Sequence, residues 1–367
     1  MADNTFAVAR GDIRQVRTYD DQSATAPLAD GEARLEIGLL ALTSNNVTYA
    51  KFGDAMGYFD FFPSTEPSEG RVPAWGFADV VESTVEGVEV GERFYGYFPV
   101  SSHLVVQPVG IQRDGFTDGA AHRAERAPLY NRYSRTSTDF LHDEAREPQL
   151  ALLRPLFATA FLIDDHLASE SFFGAEQVVL ASASSKTAYA TAFCLAERGD
   201  ARVVGLTSPR NRAFVEGLGC YDAVVTYDAT DALPDGPTAF VDMAGDGAVR
   251  RAVHQRYGDA LKSSLVIGAT HWDATPTKED LPGAAPTFFF APTLAQDRLE
   301  RWGPAGFGER LGRAWASFMR PVCDPDAPWL RVESHDGLDA AVEVYRRLLG
   351  GKTAPDEGHV VTARAAD

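Results

Sequence analysis

The sequence predicts an α/β protein of two domains, a β-rich domain and a doubly wound domain built on a parallel sheet. The chain has 367 residues, of which 45% are hydrophobic. A chain of this length is longer than one compact core usually holds. Short runs such as ARLEIGLLALT and RFYGYFPV, separated by Gly, Pro, Asp and Ser, predict strands up to about residue 110. From residue 153 onwards, continuous Val/Ile/Leu runs alternate with amphipathic helical segments, which is typical of a parallel sheet covered on both faces.

The composition narrows the choice of partners and compartment. The chain carries 34 Lys and Arg against 52 Asp and Glu, a formal charge of −18, which repels phosphate backbones and anionic lipid surfaces. Neither nucleic acid nor a membrane is therefore an expected partner. The first residues lack a signal-peptide pattern and the three cysteines are far apart, which predicts a cytoplasmic protein without disulfides or a Cys-rich zinc site.

Residues 111–148 are polar, irregular and too long for an ordinary connection, so we predict a functional or mobile loop. Its Tyr130, Asn131, Tyr133 and Arg135 are candidates for a lid over a substrate, with Arg135 facing a carboxylate. The alternative is a solvated loop.

The stretch VVLASASSKTAYA, residues 178–190, is typical of a buried strand that runs into a helix, where a nucleotide-binding sheet usually carries glycines. This turn has none. Ser184, Ser185 and Thr187 offer hydroxyl donors to phosphate oxygens, and Lys186 offers a positive charge. Two alternatives are an ordinary helix capped by serine with no ligand, and a P-loop, whose glycines are absent.

The end of the next strand, in ARVVGLTSPRNR, is where such a sheet binds the adenosine ribose. No carboxylate is present to bind a free 2′-hydroxyl, whereas Ser208, Arg210 and Arg212 suit a 2′-phosphate. The sequence therefore favours NADP(H) over NAD(H). The alternative is that Ser208 caps the next helix and both arginines face solvent.

Together these segments resemble the medium-chain dehydrogenase/reductase superfamily, and within it the zinc-independent branch of quinone oxidoreductases and enoyl reductases. The resemblance lies in the order and spacing of GEARLEIGLLALTSNNVTYAKFGDAMGYF, PAWGFADVVES, VEVGERFYGYFP, AEQVVLASAS and LDAAVEVYRRLLGGKTAPDEGHVVT. It implies a GroES-like catalytic domain, residues 1–152 completed by 319–367, and a Rossmann nucleotide-binding domain, residues 153–318. It also implies a homodimer through the nucleotide domains, with PTFFFAP (Pro286 to Pro292) at the dimer edge.

The resemblance implies an NADP-dependent, metal-independent reductase that transfers hydride to an activated C=C or a quinone. Tyr58 is the implied proton donor, with Tyr49 as its competitor, and Asn45 or Asn46 would orient the substrate carbonyl or the nicotinamide ribose. Alternatively, Tyr58 is only part of an aromatic cluster, whose composition suggests a mainly apolar small-molecule substrate. A ketone or aldehyde reductase and a catalytically silent NADP(H) sensor are the alternative functions.

Three further cofactor positions follow from the resemblance. Tyr227 would lie near the adenine or its phosphate, and Ala269 and His271 near the nicotinamide, with His271 as a proton relay or simply a structural residue. Zinc-dependent members carry a catalytic Cys near Asn45 or Asn46, and this chain has none there. With no three-ligand set of Cys, His and Glu at a plausible spacing, no metal site is expected.

Overall fold

The fold is described from a computed structural model for residues 4–24, 26–267 and 281–363. The chain divides into two units: unit 1 consists of Met1–Arg154 with Leu330–Asp367, and unit 2 of Pro155–Trp329. The predicted α/β class, with one β-rich unit and one parallel-sheet unit, is confirmed. No helix within the described ranges is long and apolar enough to cross a membrane.

The first part of unit 1 is mostly β-structure. Its elements are β1 (Thr5–Ala9), β2 (Asp12–Tyr19), β3 (Ala33–Leu42), α1 (Ser44–Lys51), β4 (Glu69–Arg71), β5 (Pro73–Ser83), β6 (Arg93–Pro99), β7 (His103–Val106), β8 (Pro108–Gln112), β9 (Gly115–Asp118) and β10 (Arg132–Arg135). Helix α2 (Glu147–Ser169) follows, and the division between the units falls inside it.

Unit 2 alternates strands and helices. Its elements after α2 are β11 (Gln177–Ala181), α3 (Lys186–Arg198), β12 (Arg202–Thr207), α4 (Arg212–Gly217), β13 (Ala223–Thr226), β14 (Thr238–Asp242), α5 (Gly247–Tyr257), β15 (Leu261–Ile267), β16 (Pro286–Phe289) and α6 (Ala291–Val322). The chain then completes unit 1 with β17 (Arg331–Asp336), α7 (Gly337–Leu349) and β18 (Glu357–Thr362).

The strands of unit 1 form two sheets in the described part of the chain. One has the order β2-β1-β4, and the larger has the order β17-β18-β3-β5-β6-β10-β9-β8, with β7 also paired to β3. Buried side chains of both sheets form the hydrophobic core of unit 1. Helix α7 adds an apolar stripe to this core, and its Tyr345 ring lies 5.3 Å from that of Phe6; the stripe consists of Leu338, Ala341, Val344 and Tyr345.

Part of the segment 111–148 belongs to the larger sheet, so the prediction of one long loop there is wrong for that part. Strands β9 and β10 lie within this segment, and the Tyr133 side chain on β10 is fully buried. The guanidinium of Arg135 does face a carboxylate, that of Glu92 at 2.7 Å, but this ion pair joins β10 to the segment before β6. Strands of four residues carry too short an apolar pattern for the sequence to reveal them.

Unit 2 has a parallel sheet in the order β13-β12-β11-β14-β15-β16. Counted from β11, this is the order 3-2-1-4-5-6 of the dinucleotide-binding folds. Strands β11 and β14 are buried at every residue, as expected where helices cover both faces of a sheet.

Residues 319–329, which the sequence analysis assigned to the first domain, lie in unit 2. Helix α6 continues to Val322, and the Trp329 ring lies 5.9 Å from the rings of both Tyr189 and Phe193 on α3. This aromatic packing holds the segment after α6 against unit 2.

Candidate functional site

The turn after β11 is built on Ser182. This residue has a φ of 55°, the left-handed conformation for which glycine is usually required. Its N–H donates to the Tyr227 hydroxyl at 3.0 Å, and its carbonyl accepts from the Ser185 N–H at 2.7 Å. These two hydrogen bonds stabilise the bend, so the absence of a glycine does not prevent the usual turn from strand to helix.

Two serines of this turn have structural partners. The Ser185 hydroxyl caps α3 by accepting from the Ala188 N–H at 3.3 Å, as one of our alternatives predicts. The Ser184 hydroxyl oxygen accepts from the Asn211 amide at 2.9 Å, which leaves its hydrogen as a donor. Thr187 and Lys186 stand half-buried in the first turn of α3. The role of Asn211 was not predicted, because it depends on the close approach of two separate strand ends.

Ser208, at the carboxyl end of β12, is unusual because its side-chain oxygen is buried and has no hydrogen-bond partner among the described residues. It occupies the position before the next short helix without capping it. The Arg210 side chain is exposed and makes no hydrogen bond or ion pair within the described ranges. Arg212 instead pairs with Glu216 at 2.8 Å on the helix surface.

Tyr227 lies directly after β13, and its hydroxyl contacts the turn through Ser182. Burial raises the pKa of Tyr227, so the hydroxyl keeps its hydrogen at neutral pH. The fully buried Asp242, at the end of β14, forms an ion pair of 2.8 Å with Arg250 and accepts from two backbone N–H groups. The predicted positions Ala269 and His271 lie outside the described residues.

The candidate substrate site of unit 1 is a group of aromatic rings that we call the tyrosine cluster. The Tyr58 ring lies 4.7 Å from that of Tyr49, and Tyr97 and Tyr130 lie 4.8 Å apart. The Tyr49 and Tyr97 rings lie 5.7 Å apart, and the Tyr58 and Tyr130 rings lie 6.4 Å apart. Each of the four tyrosines therefore contacts two of the others. Trp75 packs against Tyr97 at 5.0 Å. The two predicted tyrosines are thus neighbours in one cluster.

The sheet explains how the tyrosine cluster forms. Trp75 on β5 and Tyr97 on β6 are register partners, so their side chains point to the same face. The next pair in the register is Gly76 with Gly96, and a Cβ on Gly96 would lie 2.4 Å from the Tyr133 ring. Gly96, between the two tyrosines of RFYGYF, was the signal in the sequence for a close contact at this point. Only the pairing of the strands shows that the contact is with the Tyr133 ring.

The hydroxyls of the tyrosine cluster are protonated donors at neutral pH. Burial raises the pKa of Tyr58, and it raises the pKa values of Tyr49, Tyr97 and Tyr130 as well. The Tyr97 hydroxyl is buried without a hydrogen-bond partner in the described part of the chain. The cluster therefore combines aromatic rings with phenolic donors, and Tyr58 among them is half-buried.

Asn45 and Asn46 have different environments. The Asn46 side chain is 2% exposed, accepts from the Thr43 N–H at 2.6 Å and donates to the Pro73 carbonyl at 2.7 Å. These bonds form the capping box of α1 and attach the helix to β5. The structure thus gives Asn46 a structural role, because both polar atoms already bond to backbone. Asn45 is half-buried in the first turn.

Replacing Asn46 with alanine is expected to lower the free energy of unfolding by about 1–3 kcal/mol, because the helix cap is lost and a buried carbonyl loses its donor. Asn45→Ala is the matched control and should change stability by less than about 0.5 kcal/mol. Denaturant unfolding of both variants measures the difference, and equal losses would contradict the structural role of Asn46.

The chain is similar to known proteins in both sequence family and fold. Residues 40–354 match the family model described as "Protein of unknown function (DUF2855)". No curated protein matches the sequence with significance. The fold is similar to that of CurA from Vibrio vulnificus in complex with NADPH, with a TM-score of 0.59 and 15% identity over 99% of this chain and 100% of that chain.

Two further solved structures have the same fold. The quinone oxidoreductase from Coxiella burnetii gives a TM-score of 0.55 with 12% identity over 99% of both chains. The CurK enoyl reductase gives 0.54 with 14% identity over 98% of this chain and 99% of that chain. The fold implied by the sequence resemblance is confirmed by these similarities.

Proposed function

The chain belongs to the DUF2855 family of proteins of unknown function, and we propose that it is an NADPH-dependent reductase of an apolar α,β-unsaturated carbonyl compound or a quinone. The observation that carries this proposal is the buried, unpaired hydroxyl of Ser208. It lies at the end of the second strand of a 3-2-1-4-5-6 sheet, where a dinucleotide places its adenosine ribose. An unpaired buried polar group costs about 1–3 kcal/mol, so a ligand oxygen that accepts its hydrogen bond stabilises the site.

The residues of unit 2 fit a dinucleotide that carries a 2′-phosphate. Ser208 would donate to a phosphate oxygen, and Arg210 would supply the positive charge. The Ser184 hydrogen and the half-buried Thr187 hydroxyl, at the start of α3, would bind the diphosphate. The complex of CurA with NADPH, in a protein of the same fold, supports this choice of cofactor.

The tyrosine cluster supports an apolar substrate with one polar oxygen. Its aromatic rings would bind the carbon skeleton, and the Tyr58 hydroxyl would donate a hydrogen bond to the carbonyl oxygen. When bound, NADPH supplies a hydride. As negative charge develops on that oxygen during the reduction, Tyr58 would stabilise it and donate its proton, which solvent would then replace.

The choice of acceptor rests on the apolar character of this cluster and on the fold. A quinone oxidoreductase and an enoyl reductase are both among the proteins of similar structure. Both reactions deliver hydride to a conjugated system whose oxygen becomes negative, which is the group that a protonated tyrosine can stabilise.

A cofactor titration tests the proposal. Wild-type protein should quench or shift NADPH fluorescence, and Arg210→Glu should weaken NADPH binding by about 10- to 100-fold while NADH binding changes little, because a carboxylate repels the 2′-phosphate. Arg212→Glu is the matched control. Since Arg212 is paired with Glu216, its substitution should change NADPH affinity less than about threefold.

The outcomes separate the candidate functions. An absence of NADPH binding by wild-type protein would reject the reductase. Tight NADPH binding without turnover of any enone or quinone would instead support a silent sensor. Equal effects of Arg210→Glu on NADPH and NADH would show that the 2′-phosphate is bound elsewhere.

A further inference from the structure

Three side chains of metal-ligating type meet at one edge of the larger sheet of unit 1. They are Glu333 and His335 on β17 and His359 on β18. Glu333 and His335 are two residues apart, and Glu333 is the register partner of His359. Because alternate residues of a strand share a face and register partners lie side by side, the three side chains point to the same side. The sequence expectation that no three-ligand set assembles is therefore wrong for this edge.

The spacing of the donor atoms matches a tetrahedral site. A metal with ligands at about 2.0–2.1 Å and tetrahedral angles requires roughly 3.3 Å between neighbouring ligand atoms. The His359 Nδ1 lies 3.2 Å from the His335 Nε2 and 3.3 Å from a carboxylate oxygen of Glu333. The third edge, from the His335 Nε2 to the same oxygen of Glu333, is 4.0 Å. Two edges fit directly, and the third needs a shift of less than 1 Å in half-exposed side chains.

The groups around the triad suit a bound cation. His359 is 1% exposed, and its other ring nitrogen, Nε2, has no hydrogen-bond partner in the described residues and lies 3.8 Å from a carboxylate oxygen of Glu357. A histidine that binds metal through Nδ1 carries its hydrogen on Nε2, and carboxylates are the usual outer partners of that N–H. Arg347 lies 3.3 Å from both Glu333 and Glu357 and holds the two carboxylates in place. Its guanidinium contacts the same Glu333 oxygen that faces the two histidines, so its positive charge opposes a bound cation and must be outweighed by the three ligands.

We propose that Glu333, His335 and His359 form a binding site for a first-row transition-metal ion, with Zn²⁺ as the ion that two imidazoles and one carboxylate at tetrahedral spacing suit best. Neutral imidazole and carboxylate are both ordinary zinc ligands. Three protein ligands leave a fourth position for water. The side chains of Glu333 and His335 are 34% and 22% exposed, so the ion enters from solvent on their side.

The metal site is separate from the tyrosine cluster. His359 is the register partner of Leu42 on β3, and the neighbouring Ala41 pairs with Trp75 on β5. Successive residues of a strand point to opposite faces, so His359 and Trp75 lie on opposite faces of the sheet. The ion would join β17, the strand by which the chain returns to unit 1, to β18, and would stabilise the edge of that unit.

Zinc binding to the 367-residue chain, purified without a histidine tag, tests the proposal. We expect isothermal titration calorimetry to show one Zn²⁺ per chain and the Tm to rise with zinc concentration. His335→Ala should weaken binding by about 100-fold or more and remove the Tm shift, and Glu333→Gln should weaken it by at least about 10-fold. His103→Ala, a half-buried histidine on β7, is the matched control and should bind like the wild type.

Cobalt and a chelator complete the experiment. Co²⁺ bound to wild-type protein should give the intense visible absorption of a four-coordinate complex, and His335→Ala should lack it. A wild-type chain without saturable zinc binding would overturn the proposal, as would zinc binding of equal strength in His335→Ala. Removal of the ion by a chelator should leave NADPH binding unchanged, so this site and the proposed reductase can fail independently.

Discussion

Tyr58→Phe is expected to lower the turnover number for an enone or quinone by about 100-fold or more, because the substrate oxygen loses its proton donor as negative charge develops on it. The phenyl ring keeps the apolar contact with Tyr49, so KM should change only a few-fold. NADPH affinity should not change, because the substitution removes one hydroxyl that the proposal assigns to the substrate oxygen. Consumption of NADPH with each acceptor measures the rates.

Two other variants make this result specific. Tyr49→Phe tests the competing assignment: a larger loss there than in Tyr58→Phe would move the donor to Tyr49. Tyr19→Phe, on β2 and outside the tyrosine cluster, is the matched control and should keep wild-type turnover. Unchanged turnover in Tyr58→Phe would remove this residue from the reaction.

The pH dependence offers an independent check on Tyr58. Burial raises the pKa of this phenol above its ordinary value near 10, so the protonated form persists to higher pH than in a free tyrosine. Turnover that depends on this proton should therefore be constant from about pH 7 to 9 and fall only beyond that range. Spectroscopic titration, compared between the wild type and Tyr58→Phe, should likewise show that Tyr58 ionises at higher pH than a free tyrosine. A loss of turnover centred near neutral pH would point to a different acid.

The sequence predicts unit 2 well because its signals are local. Continuous apolar runs mark the buried strands β11 and β14, and Ser185 stands where a helix cap is expected. The cofactor residues are harder to predict in detail. Ser184 and Ser208 have the same side chain, yet one is bound by Asn211 and the other is buried without a partner. That difference depends on which strand ends meet, and no single segment encodes it.

In unit 1 the sequence analysis named Tyr58, Tyr49 and, as a lid residue, Tyr130, but it did not predict Tyr97 or the contact of all four in the tyrosine cluster. Tyr97 and Tyr130 join them from chain segments about 40 to 80 residues away, through the pairing of β5 with β6 and the short helix before β10. The segment 111–148, which contains Tyr130, also contains the fully buried Arg123. Arginine is rarely found in a core, so a composition-based analysis assigns it to the surface.

Arg123→Met is expected to lower the free energy of unfolding by about 3–5 kcal/mol, because the carboxylate of Asp118 would be left buried without its cation. The guanidinium lies 2.8 Å from Asp118 and donates to the Asn131 side chain at 3.0 Å and to the Tyr130 carbonyl at 2.7 Å. These bonds join the end of β9 to the short helix before β10, and they position the Tyr130 ring in the tyrosine cluster. Denaturant unfolding, monitored by tryptophan fluorescence, measures the loss.

Two further variants identify the buried charge as the cause. Adding Asp118→Asn to Arg123→Met should restore part of the stability, because a neutral amide costs less to bury unpaired than a carboxylate. Arg132→Met on β10 removes a half-exposed arginine that pairs with Asp114 and should cost less than about 1 kcal/mol. If Arg132→Met lowered the free energy of unfolding as much as Arg123→Met, the buried Arg123–Asp118 ion pair would not be the main source of stability in residues 111–148. Because Arg123 also supports Tyr130, the folded fraction of Arg123→Met should bind apolar substrates more weakly.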